Sequence, residues 1–246
     1  YNSTYIQGVG MGSLTDSLAT MKHRVFEQRD LSMGELLDVL ATDFEDNERL
    51  RRELATEAPA WGNDDDRADE TARRIFESYF DALDGRPNTR GGKYRVNLLP
   101  TTVHIYFGEI TGALPNGRKA GVPLSEGISP TQGADTSGPT AVLKSAAKID
   151  HSRTGGTLLN MKFSPDVLEG ADLEKFIALI RAYFRMGGHH VQFNVTDADT
   201  LRAAQREPEK YRNLIVRVAG YSDYFADVGR ELQDEIISRT EFEEVG

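Results

Sequence analysis

The chain has 246 residues, 39% hydrophobic and 28% charged, with a net charge of −10 and no cysteine. That is the composition of a folded chain with a real core, not of a disordered one. The acidic balance argues against nucleic acid or an anionic membrane as partner, and the missing cysteines exclude disulfides, thiolate metal sites and a cysteine nucleophile within these residues. No apolar run approaches membrane-spanning length and no signal peptide is visible, so a cytoplasmic location is the default. The chain opens Tyr1-Asn2-Ser3-Thr4 without Met, which suggests a fragment, a processed chain or a truncated gene.

Gly8-Val9-Gly10-Met11-Gly12 precedes a helical pattern and superficially imitates a phosphate loop. It lacks the GxGxxG spacing and a following P-loop Lys, and no strand can be read before it, so a tight loop-to-helix turn is the better reading. Leu14, Leu18, Met21 and Val25 then recur at helical spacing. Ser32 and Glu35 form a capping box ahead of Leu36, Leu37 and Leu40. Residues 46–66 read as a surface excursion. Its Asp64-Asp65-Asp66 cluster lacks the glycine turn and downstream Glu of a calcium loop, so no metal is assigned.

Ala68, Ala72, Ile75, Phe76, Tyr79, Phe80 and Leu83 predict an amphipathic helix, and Thr102–Phe107 predicts a strand. Residues 108–157 are rich in Gly, Pro, Ser, Thr and Asn without being low-complexity, which predicts an ordered, functional loop system. Asp172 is placed as the cap of a helix carrying Leu173, Phe176, Ile177, Ile180, Tyr183 and Phe184, apolar over so much of its circumference that burial is expected. His189 and His190 would point to opposite faces of a strand and read as structural. Val191, Phe193 and Val195 alternate with polar residues, a helix begins near Asp197, and Leu214-Ile215-Val216 follows; together they predict a βαβ crossover.

Read locally, Gly220 is a turn glycine ending the strand Leu214–Val218. The run Arg217-Val218-Ala219-Gly220-Tyr221-Ser222-Asp223-Tyr224-Phe225, 26 residues before the end, closely resembles the signature of glycyl radical enzymes. Other segments match in the family's order: Tyr1 to Leu18, Leu99–Thr102, Gly112–Gly121, Ser129–Asp135, Gly155–Asn160, Val191–Asn194 and Leu232–Thr240. Over essentially its whole length the chain resembles the C-terminal part of a glycyl radical enzyme of the pyruvate formate-lyase-like superfamily. Its wording is closest to the hydroxyproline dehydratase and isethionate sulfite-lyase branches.

The resemblance implies an α/β fold: the second part of a ten-stranded α/β barrel over residues 1–118 and the glycyl radical domain over 119–246. It implies that Gly220 carries the radical, supported by Arg217, Tyr221 and Ser222. A radical on a peptide Cα is delocalised into the flanking nitrogen and carbonyl, which requires a flattened backbone that only glycine adopts at little cost. Because oxygen destroys such a radical, Gly220 is expected at the tip of a buried loop sheltered by Tyr221, Tyr224 and Phe225.

In the family, the glycyl radical takes hydrogen from a cysteine on a facing loop, and the thiyl radical attacks the substrate. That cysteine would lie in a missing N-terminal portion. The implied partners are that portion, a separate S-adenosylmethionine and iron–sulfur activating enzyme, a small-molecule substrate, and a second copy in a homodimer; no cofactor or metal is expected in this chain. Leu99 and Thr101 are expected to line the substrate pocket, and Arg95 to bind an anionic head group through its planar fork. The function so implied is the radical-carrying portion of a lyase or dehydratase. The alternative is a non-catalytic spare part that restores the glycine of an oxygen-damaged enzyme.

Overall fold

A computed structural model of the chain describes residues 2–245; Tyr1 and Gly246 lie outside the described residues, so the matching segment that opens at Tyr1 is followed from Asn2. The fold is α/β. Strand β1 (Thr4–Gln7) lies parallel to β2 (Tyr94–Asn97), with Thr4 opposite Tyr94 and Gln7 opposite Asn97. Helix α1 (Met11–Thr20) starts after Gly10, whose φ of 78° turns the chain sharply out of β1. The glycine run is therefore a loop-to-helix turn, and β1 before it is a strand that the sequence pattern did not reveal. A π-helical stretch, Met21–Gln28, continues α1.

The capping box forms as expected at α2 (Met33–Ala41): the Glu35 N–H donates to Ser32 Oγ, and Glu35 Oε2 accepts from the Ser32 N–H at 2.9 Å. Residues 46–66 lie at the surface for most of their length, but they are anchored and helical in part. They hold α3 (Glu48–Thr56) and bring Trp61 into the core, its indole N–H donating to the Ile128 carbonyl at 2.8 Å. Asp64, Asp66 and Asp69 pair with Lys148, which ties the start of α4 (Asp66–Leu83) to the end of α6 (Pro139–Ala147). Helix α4 buries Ala68, Ala72 and Phe76 against α1, as its pattern predicts.

Residues 102–107, predicted as a strand, are helical: α5 spans Val103–Glu109. The β-branched residues lose to tertiary packing. His104 is fully buried, and Gly108 passes so close to residues 122 and 123 that a Cβ would stand 2.4 Å from the Val122 carbonyl oxygen. The 108–157 region is ordered, with Ser125, Glu126 and Ile128 buried, and contains α6.

The central sheet has the order β4–β3–β7, all parallel: β3 is Asn160–Phe163, β4 Gln192–Val195 and β7 Glu241–Phe242. Helix α7 (Gly170–Arg185) links β3 to β4 as the crossover. Its N-cap is Glu169, with Asp172 inside the first turn, and it buries only one face: Phe176, Leu179 and Tyr183 are covered while Ile177 and Phe184 are exposed.

The predicted crossover from β4 to residues 214–216 does not form a sheet. Helix α8 (Ala198–Arg206) begins near Asp197 as expected, with Asp197 as its cap, but β5 (Ile215–Arg217) pairs antiparallel with β6 (Ser222–Tyr224). Helix α9 (Arg230–Ser238) follows. An apolar cluster under the hairpin joins Leu158, Leu201, Val216, Val218, Phe225 and Ile236.

Candidate active site

Gly220 lies in the turn between β5 and β6. Arg217 and Ser222 form the last pair of the ladder, and the Val218 N–H donates to the Tyr221 carbonyl at 2.9 Å to close the loop. The φ of Gly220 is 80°, a region where a Cβ is strained, although within 4 Å an added Cβ would meet only Leu99 Cδ2, at 3.9 Å. Backbone conformation rather than crowding therefore demands glycine here.

The loop is not buried. Gly220, Tyr221, Ser222 and Tyr224 are exposed, and of the expected aromatic shelter only Phe225 is buried, at 0% exposure. The expectation of a sheltered tip is corrected for this chain: Val216, Val218 and Phe225 face down into the cluster under the hairpin, Ile215, Tyr221 and Tyr224 are exposed, and none of the described residues covers the tip from above. The supporting residues do touch the loop. Arg217 Nε donates to the side-chain carbonyl of Gln192 at 3.0 Å, and its Nη1 donates to Ser222 Oγ at 3.2 Å.

Beneath the tip lies a polar cradle. Alternation along β4 turns Phe193 toward Phe163 and Phe176, and Gln192 and Asn194 toward the hairpin. Gln192 Oε1 accepts from the Gly220 N–H at 3.1 Å, and Gln192 Nε2 donates to the Val218 carbonyl at 3.2 Å. Asn160, opposite Gln192 in the register, donates to the same carbonyl at 3.1 Å. The Asn194 amide accepts from the Arg217 N–H and donates to the Arg217 carbonyl, both at 2.7 Å. It does for β5 what a neighbouring strand would do, which is why β4 and β5 lie side by side without a ladder.

The cradle rests on buried charge. Arg239 makes a two-point contact with Glu235, Nε to Oε1 at 3.1 Å and Nη2 to Oε2 at 2.8 Å, and its Nη2 also reaches the Val218 carbonyl at 3.5 Å. Burial is the largest influence on Glu235 and raises it, but Arg239 and His104 together outweigh it and hold the carboxyl below the usual range. Burial lifts Glu126 above its usual range despite the same Arg239 charge; Glu126 accepts from Ser129 Oγ at 2.6 Å and from Asn160. His104 sits 3.7 Å from Glu235, with neither ring nitrogen hydrogen-bonded.

Of the residues expected at a substrate pocket, Leu99 stands against Gly220 and is half-buried. Thr101 is exposed, at a strained φ of 55°. Arg95 is engaged elsewhere: it lies on β2, not on a loop, and its Nε is 3.1 Å from Asp84 Oδ1 at the end of α4. That pairing removes it as a free head-group ligand in this chain. A separate apolar cleft of about 830 Å³ between α1 and α4, lined by Met11, Leu14, Leu18, Ile75, Phe76 and Phe107, includes neither Gly220 nor Leu99.

The sequence reading missed Gln192, Asn194, Asn160, Glu126 and Arg239 as functional candidates. The available signal was the pair of long amides at alternate positions of β4, opposite an aromatic face.

Residues 124–226 match the family model described as Glycine radical, and residues 1–108 match Pyruvate formate lyase-like. The chain is 55% identical over 242 residues to the trans-4-hydroxy-L-proline dehydratase of Clostridioides difficile, covering 98% of this chain and 31% of that one. It is 42% identical over 243 residues to the isethionate sulfite-lyase of Bilophila wadsworthia, covering 97% and 29%. The crystal structure of the C. difficile hydroxyproline dehydratase with substrate bound superposes at a TM-score of 0.96, over 99% of this chain and 31% of that one. The glycerol dehydratase of Clostridium butyricum superposes at 0.94 with 44% identity, again over 99% and 31%. The chain thus spans about a third of the length of these relatives. With the Arg217–Phe225 signature inside the Glycine radical segment and Gly220 at its turn, the chain belongs to the glycyl radical enzymes of the pyruvate formate-lyase-like superfamily.

Proposed function

We propose that this chain is the C-terminal, radical-carrying portion of a glycyl radical lyase or dehydratase, with Gly220 as the radical carrier. The observation that carries the reading is the position of Gly220: at a turn that requires positive φ, its N–H held from below and its Cα open above, inside the segment matched by the Glycine radical model. The family's radical is installed by a separate activating enzyme, which would remove one hydrogen atom from the Gly220 Cα. The open tip suits that step, because a Cα hydrogen must be reached from outside.

The glycyl radical would then take a hydrogen atom from a cysteine thiol, and the resulting thiyl radical would take one from a substrate carbon. The 246 residues contain no cysteine, so the thiol belongs to a further portion of the protein. The exposed Leu14, Leu18, Phe26, Tyr106, Phe107 and Ile110 suit burial beneath that portion, which would complete the ten-stranded barrel over residues 1–118 and shelter the 119–246 radical domain. We infer that Leu99, against Gly220, and Thr101 line the substrate side, and that the substrate is small. With Arg95 paired to Asp84, the reading of an anionic substrate is carried by likeness to the isethionate and hydroxyproline enzymes.

The test is anaerobic activation of the full-length protein with its activating enzyme. The expected result is an electron paramagnetic resonance doublet that is absent from Gly220→Ala, and, on exposure to air, cleavage at Gly220 releasing a short C-terminal peptide. A doublet that persists in Gly220→Ala rejects the assignment.

A further inference from the structure

Neither the family match nor the signature assigns a role to the side chain that touches Gly220 most directly. Gln192 lies on β4 and is 6% exposed. Its orientation is set by its surroundings. Oε1 faces two donors, the Gly220 N–H at 3.1 Å and Arg217 Nε at 3.0 Å, while Nε2 faces two acceptors, the Val218 carbonyl at 3.2 Å and Asn160 Oδ1. Turning the amide over would set donor against donor and acceptor against acceptor. Burying a primary amide costs free energy unless its hydrogen-bonding capacity is used, and here both ends are used on the loop.

We propose that Gln192 is the positioning residue of the radical loop: one amide group, fixed by the β3–β4 register, clamps the Val218 carbonyl and the Gly220 N–H, and so sets the orientation of the peptide plane that precedes the radical carbon. The inference rests on the reading of Gly220 as radical carrier. Its consequence is chemical as well as mechanical. A Cα radical is delocalised into the adjoining nitrogen only while that peptide plane is aligned with the flattened carbon. An acceptor on the Gly220 N–H also draws the proton toward Gln192 and leaves more electron density on the nitrogen that donates into the radical. Glycine at an exposed turn has otherwise the widest backbone freedom of any residue. Tyr221 and Ser222 do not limit that freedom from above, being exposed themselves.

The experiment uses the full-length protein, activated anaerobically, in four forms beside the wild type. Gln192→Leu removes both hydrogen-bonding ends at similar size. Gln192→Glu keeps an oxygen acceptor at the same reach for the Gly220 N–H. Leu54→Ala lowers stability from an apolar cluster away from the hairpin. Gly220→Ala tests the underlying assignment. Gln192→Leu is expected to lower the radical yield about tenfold, the size of one lost hydrogen bond, and to change the hyperfine coupling of the exchangeable Gly220 amide proton. Gln192→Glu keeps the acceptor for the Gly220 N–H and loses the donor to the Val218 carbonyl, so its yield is expected between that of Gln192→Leu and the wild type, and Leu54→Ala leaves the coupling as in the wild type.

Wild-type yield and coupling in Gln192→Leu overturn the proposal, as does an equal loss of yield in Leu54→Ala. Should Gln192→Leu not fold, Gln192→Glu decides: a reduced yield with a changed coupling in the folded variant supports the two-ended clamp, and wild-type yield and coupling overturn it. A doublet that survives Gly220→Ala overturns both readings, whereas a doublet lost there but intact in Gln192→Leu overturns this one alone.

Discussion

Two regions meet at Gly220 and are built on opposite principles. The cradle below is polar and buried: Gln192, Asn194, Asn160 and Arg239 hold the loop through its backbone, and Glu126 and Glu235 hold Asn160 and Arg239 in turn. The tip above is a solvent-facing turn of Gly220, Tyr221 and Ser222, with no partner over it among the described residues. The loop is thus held from one side only. Conformation comes from within these residues, because amides on β4 replace a neighbouring strand. None of the described residues covers the tip.

The largest expected effect breaks the cradle at its charged base. Arg239→Leu leaves Glu235 and Glu126 buried without their cation, and removing one partner from such a pair costs about 3–5 kcal/mol. Urea denaturation of this chain should show the midpoint falling with an unchanged slope. A loss under about 1 kcal/mol would mean that the pair adds nothing to the cradle.

Next is a dependence on pH in the loop system that supports the cradle. Burial, opposed by hydrogen bonds from Thr131 Oγ1 and the Trp61 N–H, lifts Asp16 from 3.8 to about 7. Burial likewise lifts Asp135 to about 6. The folded state therefore keeps a proton that the unfolded chain releases, and the unfolded chain has lost it above 3.8. The stability associated with protonated Asp16 is complete below that value and is lost as pH rises through about 7. His151 and His190, held below their usual range by burial, act in the opposite sense, so the informative quantity is the difference between variant and wild type. Asp16→Asn should gain on the wild type by roughly 2–4 kcal/mol between about pH 4 and about pH 8. A gap that stays constant with pH would contradict a buried, protonated Asp16.

Asn194→Leu sharpens the comparison at the rim. It removes the two hydrogen bonds that substitute for a β4–β5 ladder, at an expected cost of about 1–3 kcal/mol, with faster hydrogen exchange at the Arg217 amide. Tyr221→Ser, at the tip, should change the stability of this chain by no more than about 0.5 kcal/mol, since Tyr221 is 41% exposed. A large loss there would show that the tip is held after all, and the contrast with the cradle would fail.

Local chemistry decided what could be read along the chain without folding it. The capping box at Ser32 and Glu35, the apolar stripe of α4 and the helix start near Asp197 all act within a few residues, so their patterns survive into the structure unchanged. The Arg217–Phe225 run is equally local, and it located Gly220. Tertiary structure alone decided the rest. Residues 102–107 are helical against their β-branched composition because His104 and Gly108 must pack against the 122–126 region and Glu235. Arg95 went to Asp84 and not to a ligand because β2 runs beside the end of α4, a neighbourhood no spacing rule encodes. Gln192 met Gly220 only because β3, β4 and the hairpin converge, bringing together residues 28 positions apart. A side-chain amide on a strand carries no sign of its partner until the opposite surface is in place; hydrogen bonds are directional and short, and only the assembled fold fixes direction and distance to within tenths of an ångström.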